Sequence, residues 1–319
     1  MLLIGVLANK NWILGNWLTE VKRRSPENFS ILWLPTIFAG KRWFERFIPS
    51  FLPKKQAYFF SYLTIFEKYF KSNKSKYTGK SIILYPHNEP ELGSLSHQAQ
   101  ILNNAFAVYF FCSYDAKKLI SFGLQESKIR LALCAVDVDC VPNKYTVRSD
   151  RMVVLASKYG PRKGLDILPE IVESRPEIDF VALGRGWEPL LDNSKLKNMS
   201  NFKYFELNKK SRNKFFSEAK VFLSLSNLEG GPVPLIEAMS MGLYPIATET
   251  GFAPDLIKSK KTGILIPVNP SVSQVLSALD ESMKIESFNT ENYLTWDRIT
   301  SMMISDLKSI TNIDAKKIV

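Results

Sequence analysis

The sequence predicts an α/β protein of two domains, each a parallel sheet covered by helices. Three observations carry this. The chain has 319 residues, which suits two domains of about 150 residues better than one. Strand-like apolar runs alternate with helix-like segments along the chain, the order that builds parallel sheets. Hydrophobic residues make up 45% and charged residues 23%, an ordinary globular balance with enough apolar surface for sizeable cores.

In the first half, Leu2–Ala8, Phe29–Leu34, Ile82–Tyr85 and Val108–Cys112 read as strands, with a helix from Gly15 to Arg24. In the second half the strands are Met152–Ala156, Phe180–Leu183, Val221–Leu225, Tyr244–Ala247 and Ile264–Pro267. Helices are expected at Gly164–Ser174, Pro232–Met241 and Val272–Met283. A seam near Val141–Asp150 divides the chain into domains 1–145 and 146–319, the last helix being a candidate to return to the first. In such sheets ligands gather at the carboxyl ends of the strands.

The formal charge of +11 is unevenly placed. Residues 1–150 hold 20 Lys/Arg against 11 Asp/Glu, and the remainder holds 22 against 20. The first half is therefore either a solvated basic surface or a face for something anionic, such as a membrane or a phosphorylated substrate. No recognition motif accompanies the charge, so nucleic acid is not an expected partner. The lysine run Lys68–Lys80 reads as a solvated helix end and loop. Cys112, Cys134 and Cys140 are too few for a disulfide framework and read as reduced core thiols of a cytoplasmic protein. Met1–Ala8 lacks the basic start and cleavage site of a secretory signal. No apolar run approaches the roughly 18 residues of a membrane span.

The sharpest signal is Ser226-Asn-Leu-Glu229-Gly230-Gly231-Pro232-Val233-Pro-Leu-Ile-Glu237-Ala-Met. Gly230 and Gly231 let backbone approach a ligand closely. Pro232 suits a first helical turn, where a missing N–H costs nothing. The amides of that turn form an anion site. Glu229 and Glu237 flank it, and carboxylates there would accept hydrogen bonds from sugar hydroxyls. One constellation thus offers amides for a diphosphate and carboxylates for two sugars.

This stretch resembles the Glu-x7-Glu signature of the retaining GT-B glycosyltransferases of family 4. The resemblance spans roughly residues 150–300. Leu155-Ala-Ser-Lys-Tyr-Gly-Pro-Arg-Lys163-Gly164 is similar to the family's strand–loop ending in Lys-Gly. Ala182-Leu-Gly184-Arg-Gly186 is similar to its glycine loop. Ala247-Thr-Glu-Thr-Gly251-Phe-Ala-Pro254-Asp255 and Thr262-Gly263-Ile-Leu-Ile-Pro resemble its closing strand–turn segments, and Trp296-Asp297 its final helix start. The implied fold is two Rossmann-like parallel-sheet domains facing a cleft. The implied reaction moves a sugar from a nucleotide-diphosphate donor, with retention and without a metal or other cofactor.

The resemblance implies roles. Glu229 would contact the donor sugar near the reacting centre and Glu237 the ribose. Lys163, Gly184 and the amides around Gly230, Gly231 and Val233 would hold the diphosphate, whose developing charge needs preorganised positive groups. Many relatives carry an arginine where this chain has Ser157; the adjacent Lys158 is the candidate replacement, without the guanidinium fork. Phe252 stands where a second glycine is common.

In the first half, Tyr85-Pro-His87-Asn88-Glu89-Pro90 follows a strand. His87 is the candidate to touch the donor sugar or help deprotonate an acceptor hydroxyl; a loop histidine capping backbone groups is the alternative. His97 reads as structural. Asn9–Gly15 follows the first strand, where relatives have a Gly-rich acceptor-side loop. Asp137-Val-Asp139 reads as a strand end before the seam rather than a metal site. Lys41–Lys55 mixes basic and bulky apolar residues, as an interfacial helix on an anionic membrane would, or as an amphipathic helix on the sheet. Expected partners are a nucleotide-sugar donor and a saccharide or lipid-linked acceptor, at the inner face of the plasma membrane if the protein is peripheral. The competing reading is a catalytically inactive GT-B protein acting as a binding or scaffolding partner.

Overall fold

The computed structural model describes residues 1–7, 10, 13–34, 52–88, 92–133, 135–136, 148–286 and 295–316. Residues 41–51 of the basic aromatic stretch, part of Asn9–Gly15, Glu89, Cys134, Asp137, Asp139 and Cys140 lie outside these. The chain divides into two compact units, Met1–Leu133 with Leu294–Val319, and Cys134–Tyr293.

The first unit runs β1 (Leu2–Val6), α1 (Ile13–Arg24), β2 (Ser30–Leu34), β3 (Tyr58–Phe60), α2 (Leu63–Ser72), α3 (Lys74–Tyr77), β4 (Ser81–Tyr85), α4 (Leu95–Leu102), β5 (Ala107–Phe110), α5 (Ser113–Ser121) and β6 (Ile129–Leu131). Its six strands pair in parallel in the order β2-β1-β3-β4-β5-β6. Every residue of β1, β4 and β5 is buried, as helix-covered parallel strands require. β3 and β6, three residues each, are strands the sequence reading did not name. They are too short to show a period of their own.

The Lys68–Lys80 run is more than a solvated end, because helical periodicity splits it into two faces. Leu63, Ile65, Phe66, Tyr69 and Phe70 of α2 are buried, at about 2 kcal/mol each before entropy. Tyr77 of α3 follows them into the core. That outweighs the few tenths available to an exposed lysine pair such as Lys71 with Glu67.

The second unit runs β7 (Ser149–Lys158), α6 (Leu168–Glu173), β8 (Asp179–Arg185), α7 (Glu188–Asp192), β9 (Phe202–Glu206), α8 (Lys209–Glu218), β10 (Ala219–Ser224), α9 (Val233–Ser240), β11 (Tyr244–Thr248), α10 (Ala253–Leu256), β12 (Ile264–Ile266) and α11 (Val272–Ser282). Its six strands are also all parallel, in the order β12-β11-β10-β7-β8-β9. β9, absent from the strands the sequence predicts, is an edge strand with a single buried residue, Phe202. The segment expected as one helix from Gly164 is instead a 3-10 turn, Leu165–Ile167, followed by the short α6. Pro169 explains the break, since it lacks an N–H and is tolerated only in a first turn.

The chain closes with α12 (Trp296–Lys316), which belongs to the first unit. There Trp17 of α1 stacks on Phe59 at 5.1 Å and meets Trp296 edge-on at 6.3 Å. Asp306 of α12 accepts from the Tyr109 hydroxyl at 2.7 Å and from the Arg130 guanidinium at 3.1 Å.

Candidate active site

The strand order of the second unit reverses between β7 and β10. Chain leaves β7 toward β8 on one side and β10 toward β11 on the other. The loops after these two strands therefore splay apart and leave the crevice where ligands of such sheets bind. Lys158 ends β7, and the loop that follows carries Lys163. The loop after β10 carries Glu229, Gly230 and Gly231.

These two loops are locked together. A 3-10 turn, Pro161–Lys163, ends in Gly164 with φ +60°. A Cβ at Gly164 would lie 2.1 Å from the Leu225 carbonyl oxygen, so only glycine fits on both counts. The Asn227 amide donates to the Arg162 carbonyl at 2.7 Å. This register brings the Lys163 ammonium onto the Glu229 carboxylate, with the two side chains only 18% and 13% exposed. Two residues the sequence motif singles out, 66 positions apart, thus meet as an ion pair.

The loop after β11 holds the backbone that carries Glu229. The Glu229 amide donates to Thr250 Oγ1 at 3.0 Å, and Thr248 Oγ1 donates to the Ser226 carbonyl. Gly251 packs its backbone on Glu229 and Gly230.

Helix α9 begins at Val233, one residue later than predicted, with Pro232 as its N-cap and Pro234 in its first turn. The Leu235 amide turns back to the Pro232 carbonyl at 2.9 Å. Among the described residues, the amides of Gly230, Gly231 and Val233 meet no protein acceptor. They are the donors this loop can present to an anion. One turn along, Glu237 is held by the Arg212 guanidinium of α8, both side chains 15% exposed.

Gly184 ends the buried part of β8. A Cβ there would meet the Ser157 carbonyl and the Trp187 indole nitrogen, each at 2.1 Å. The Trp187 N–H donates to that carbonyl at 2.9 Å. The glycine is therefore required by packing between β7 and β8. Lys158 closes β7 and is exposed, one residue beyond Ser157 and on the opposite face of the strand.

Arg212, Thr250 and Arg162 were not singled out from sequence. Arg212 lies on a segment with no motif, and only the fold brings α8 beside α9. Arg162 sits exposed beside Lys163 in the Pro-Arg-Lys-Gly turn, where its charge was the available signal.

In the first unit, His87 lies in the turn after β4, half-buried, with Nδ1 3.3 Å from the Asn88 carbonyl oxygen. The turn is anchored by a polar chain. The Tyr85 hydroxyl donates to Gln98 at 2.5 Å, and Gln98 donates to Asn88 Oδ1 at 3.1 Å. The Asn88 amide in turn donates to Asp115, which also accepts from Cys112 Sγ at 3.4 Å. Burial pushes the Asp115 carboxyl above its ordinary range, while the thiol and His87 pull the other way. Asp115, unmarked in the sequence, is thus a buried acid beside the candidate histidine. His97 bonds Glu67 at 2.7 Å and ties α4 to α2. Among the described residues, no group of three or more His, Cys, Asp or Glu side chains is arranged to hold a metal ion.

Comparison with known proteins bears on this geometry. The family profile described as "Glycosyl transferases group 1" matches residues 142–295. The chain is 28% identical over 178 residues to the phosphatidylinositol N-acetylglucosaminyltransferase gpi3 subunit of Schizosaccharomyces pombe. That match covers 52% of this chain and 39% of the relative, so the chain spans about two fifths of the relative's length. Among solved structures, sucrose-phosphate synthase of Thermosynechococcus elongatus superposes with a TM-score of 0.73 at 13% identity, covering 98% of this chain and 99% of that one. Anabaena HepE in complex with UDP-glucose gives 0.69 at 12% identity, covering 99% of both chains. At such identities the likeness concerns the fold: two Rossmann-like units, each on a six-stranded parallel sheet. Residues 142–295 thus match a group 1 glycosyltransferase domain, and the chain has the fold of two Rossmann-like parallel-sheet units shared with GT-B proteins.

Proposed function

We propose that this protein transfers a sugar from a nucleotide-diphosphate sugar to a saccharide or lipid-linked saccharide, with retention of anomeric configuration and without a metal ion. The observation that carries the reading is the Lys163–Glu229 pair beside the amides of Gly230, Gly231 and Val233. A cation, a row of donors and a carboxylate are what a departing nucleotide diphosphate and its sugar need. As the glycosidic bond to the diphosphate breaks, negative charge grows on the leaving oxygens. Groups already aimed there stabilise it without reorganising. Lys163 would turn from Glu229 to the phosphates, and Glu229 to the donor sugar. Glu237, steadied by Arg212, would accept from the ribose hydroxyls. Gly184 would keep β8 close to the donor, Lys158 would add charge at the strand end, and His87 would act on the donor sugar or the acceptor hydroxyl.

The similarity to a phosphatidylinositol N-acetylglucosaminyltransferase subunit supports a lipid-linked acceptor. Such an acceptor would bring the protein to a membrane surface as a peripheral protein on the cytoplasmic side. No helix among the described residues is long and apolar enough to cross a membrane. A thermal-shift panel of UDP-, GDP- and ADP-sugars tests the donor, since a ligand that binds the native state raises stability by mass action. Donor hydrolysis or transfer that persists in EDTA and is lost in Glu229→Ala tests the chemistry. Ser157, where many relatives place an arginine, favours one competing reading, a binding protein without turnover. Donor binding with no hydrolysis or transfer to any saccharide would select it.

A further inference from the structure

Two basic runs that are separate in the sequence converge in the first unit. Lys54 and Lys55 end the basic aromatic stretch, and Lys76 and Lys80 end the Lys68–Lys80 run. The fold sets them around two adjoining hollows of about 460 and 610 Å³, which share Lys54, Lys55 and Lys80. Either volume is in the range of small-ligand sites. Among the described residues, no carboxylate lines either one.

The groove is built rather than merely decorated. Lys76 donates to the Leu52 carbonyl at 2.5 Å, and its ammonium lies 5.7 and 5.2 Å from the Tyr58 and Tyr77 rings. Its stem is thereby fixed against a buried aromatic wall. Asn73 has its side-chain oxygen taken by the Lys76 amide and by the Ser75 hydroxyl. Its oxygen is thus occupied, which leaves the NH₂ as the group with which Asn73 can bond a ligand. A wall of ammonium groups and amide donors, without competing acids, suits an acceptor-only ligand of more than one charge. Phosphate groups fit that description.

The groove also stands apart from the His87 turn. Lys80 precedes β4 and His87 follows it, so the strand's five residues separate them, about 16 Å at the usual rise. The groove thus lies at the amino ends of the strands, opposite the end where α/β sheets hold substrates.

We infer that the lysine groove formed by Lys54, Lys55, Lys76 and Lys80 is a second ligand site, specific for a phosphate or diphosphate group, on a soluble molecule or a phospholipid headgroup.

The test uses pyrophosphate and the full chain carrying Lys163→Ala, which removes the cation proposed for the donor diphosphate. Calorimetric titration at low salt is expected to give saturable one-to-one binding. Adding Lys54→Ala and Lys80→Ala should weaken it tenfold or more. Adding Lys10→Ala and Lys117→Ala, exposed lysines elsewhere in the unit, should change it less than twofold. Circular-dichroism melts confirm that each variant folds. No binding, or equal losses in both sets, would overturn the inference, because diffuse charge would then account for it. Co-sedimentation with phosphatidylglycerol vesicles but not phosphatidylcholine vesicles, lost in Lys54→Ala/Lys80→Ala, identifies a headgroup as the source. Pyrophosphate binding without vesicle binding identifies a soluble ligand. Single-stranded RNA that displaces pyrophosphate at lower concentration than any phosphate ester would overturn the assignment in favour of a nucleic-acid surface.

Discussion

The Lys163 ammonium rests on the Glu229 carboxylate, joining the loop after β7 to the loop after β10 across the switch in strand order. Neither charge is deeply buried, and neither is free in solvent. Such a pair is cheap to open when a better-placed anion arrives, because both groups stay near water. It also keeps the site neutral and ordered when no donor is bound.

Lys163→Ala is expected to weaken binding of the best nucleotide sugar by tenfold or more, the worth of one charged hydrogen bond to phosphate. Stability should fall by about 1–2 kcal/mol, between the values for exposed and buried pairs, since Glu229 is left without its cation. Calorimetry and urea melts read the two effects. In a double-mutant cycle with Glu229→Ala the stability losses should be less than additive. Strict additivity would mean that the two side chains do not act as a pair.

Arg212 holds Glu237 across α8 and α9. If Glu237 receives the ribose, Arg212→Ala frees the carboxylate to swing, and the expected loss is in donor KM rather than kcat. Arg212→Lys should recover part of it, because an ammonium keeps the charge but not the fork. A fall confined to kcat, with KM unchanged, would remove Arg212 from donor positioning.

The second unit is legible in the sequence because β7, β8, β10 and β11 each carry four or five buried residues in an apolar run. Short or half-exposed strands escaped: β3 is three aromatic residues between a lysine loop and a helix, and β9 buries only Phe202. At the site, Glu229, Glu237 and Lys163 were visible through motif spacing. Arg212, Thr250 and Asp115 were not, because each reaches its partner only through the fold. Lys76 and Lys80 read as part of a solvated run, and Lys54 and Lys55 as the end of an interfacial or amphipathic helix, since nothing local says that 52–57 and 74–80 flank the same strand ends.

Asp115→Asn is expected to raise stability at neutral pH. The native carboxyl titrates above its ordinary value, chiefly because it is buried. Between the unfolded value and the raised native one, the native state binds more protons than the unfolded state. Stability therefore falls as pH rises through that window and then stays level. The amide carries no charge to desolvate, so its advantage should be present at pH 7 and shrink as pH drops through that window toward the ordinary carboxylate value. Thermal melts of both proteins from pH 3.5 to 7.5 measure it. A constant difference across that range would mean that burial of the charge is not the cost.

Asp306 is the anchor of the last helix, and its loss should be the most damaging of these changes to the first unit. The residue is 6% exposed, and its carboxylate is the shared acceptor of the Tyr109 hydroxyl and the Arg130 guanidinium. The Tyr109 hydroxyl is pushed far above its ordinary range by burial first and by Asp306 second, so it remains a donor at any working pH. Asp306→Ala leaves the buried Tyr109 hydroxyl without an acceptor and takes the carboxylate from the part-exposed Arg130 guanidinium, which keeps the Ser127 and Ile129 carbonyls, and should cost about 2–3 kcal/mol. Tyr109→Phe removes one donor and leaves the Arg130 pair intact, so about 1 kcal/mol is expected. Hydrogen exchange should then show faster opening of α12 and of α1, which packs on it through Trp17 and Trp296, with β7–β12 unaffected at early times. If both variants cost the same, the hydroxyl rather than the ion pair would be what holds the helix.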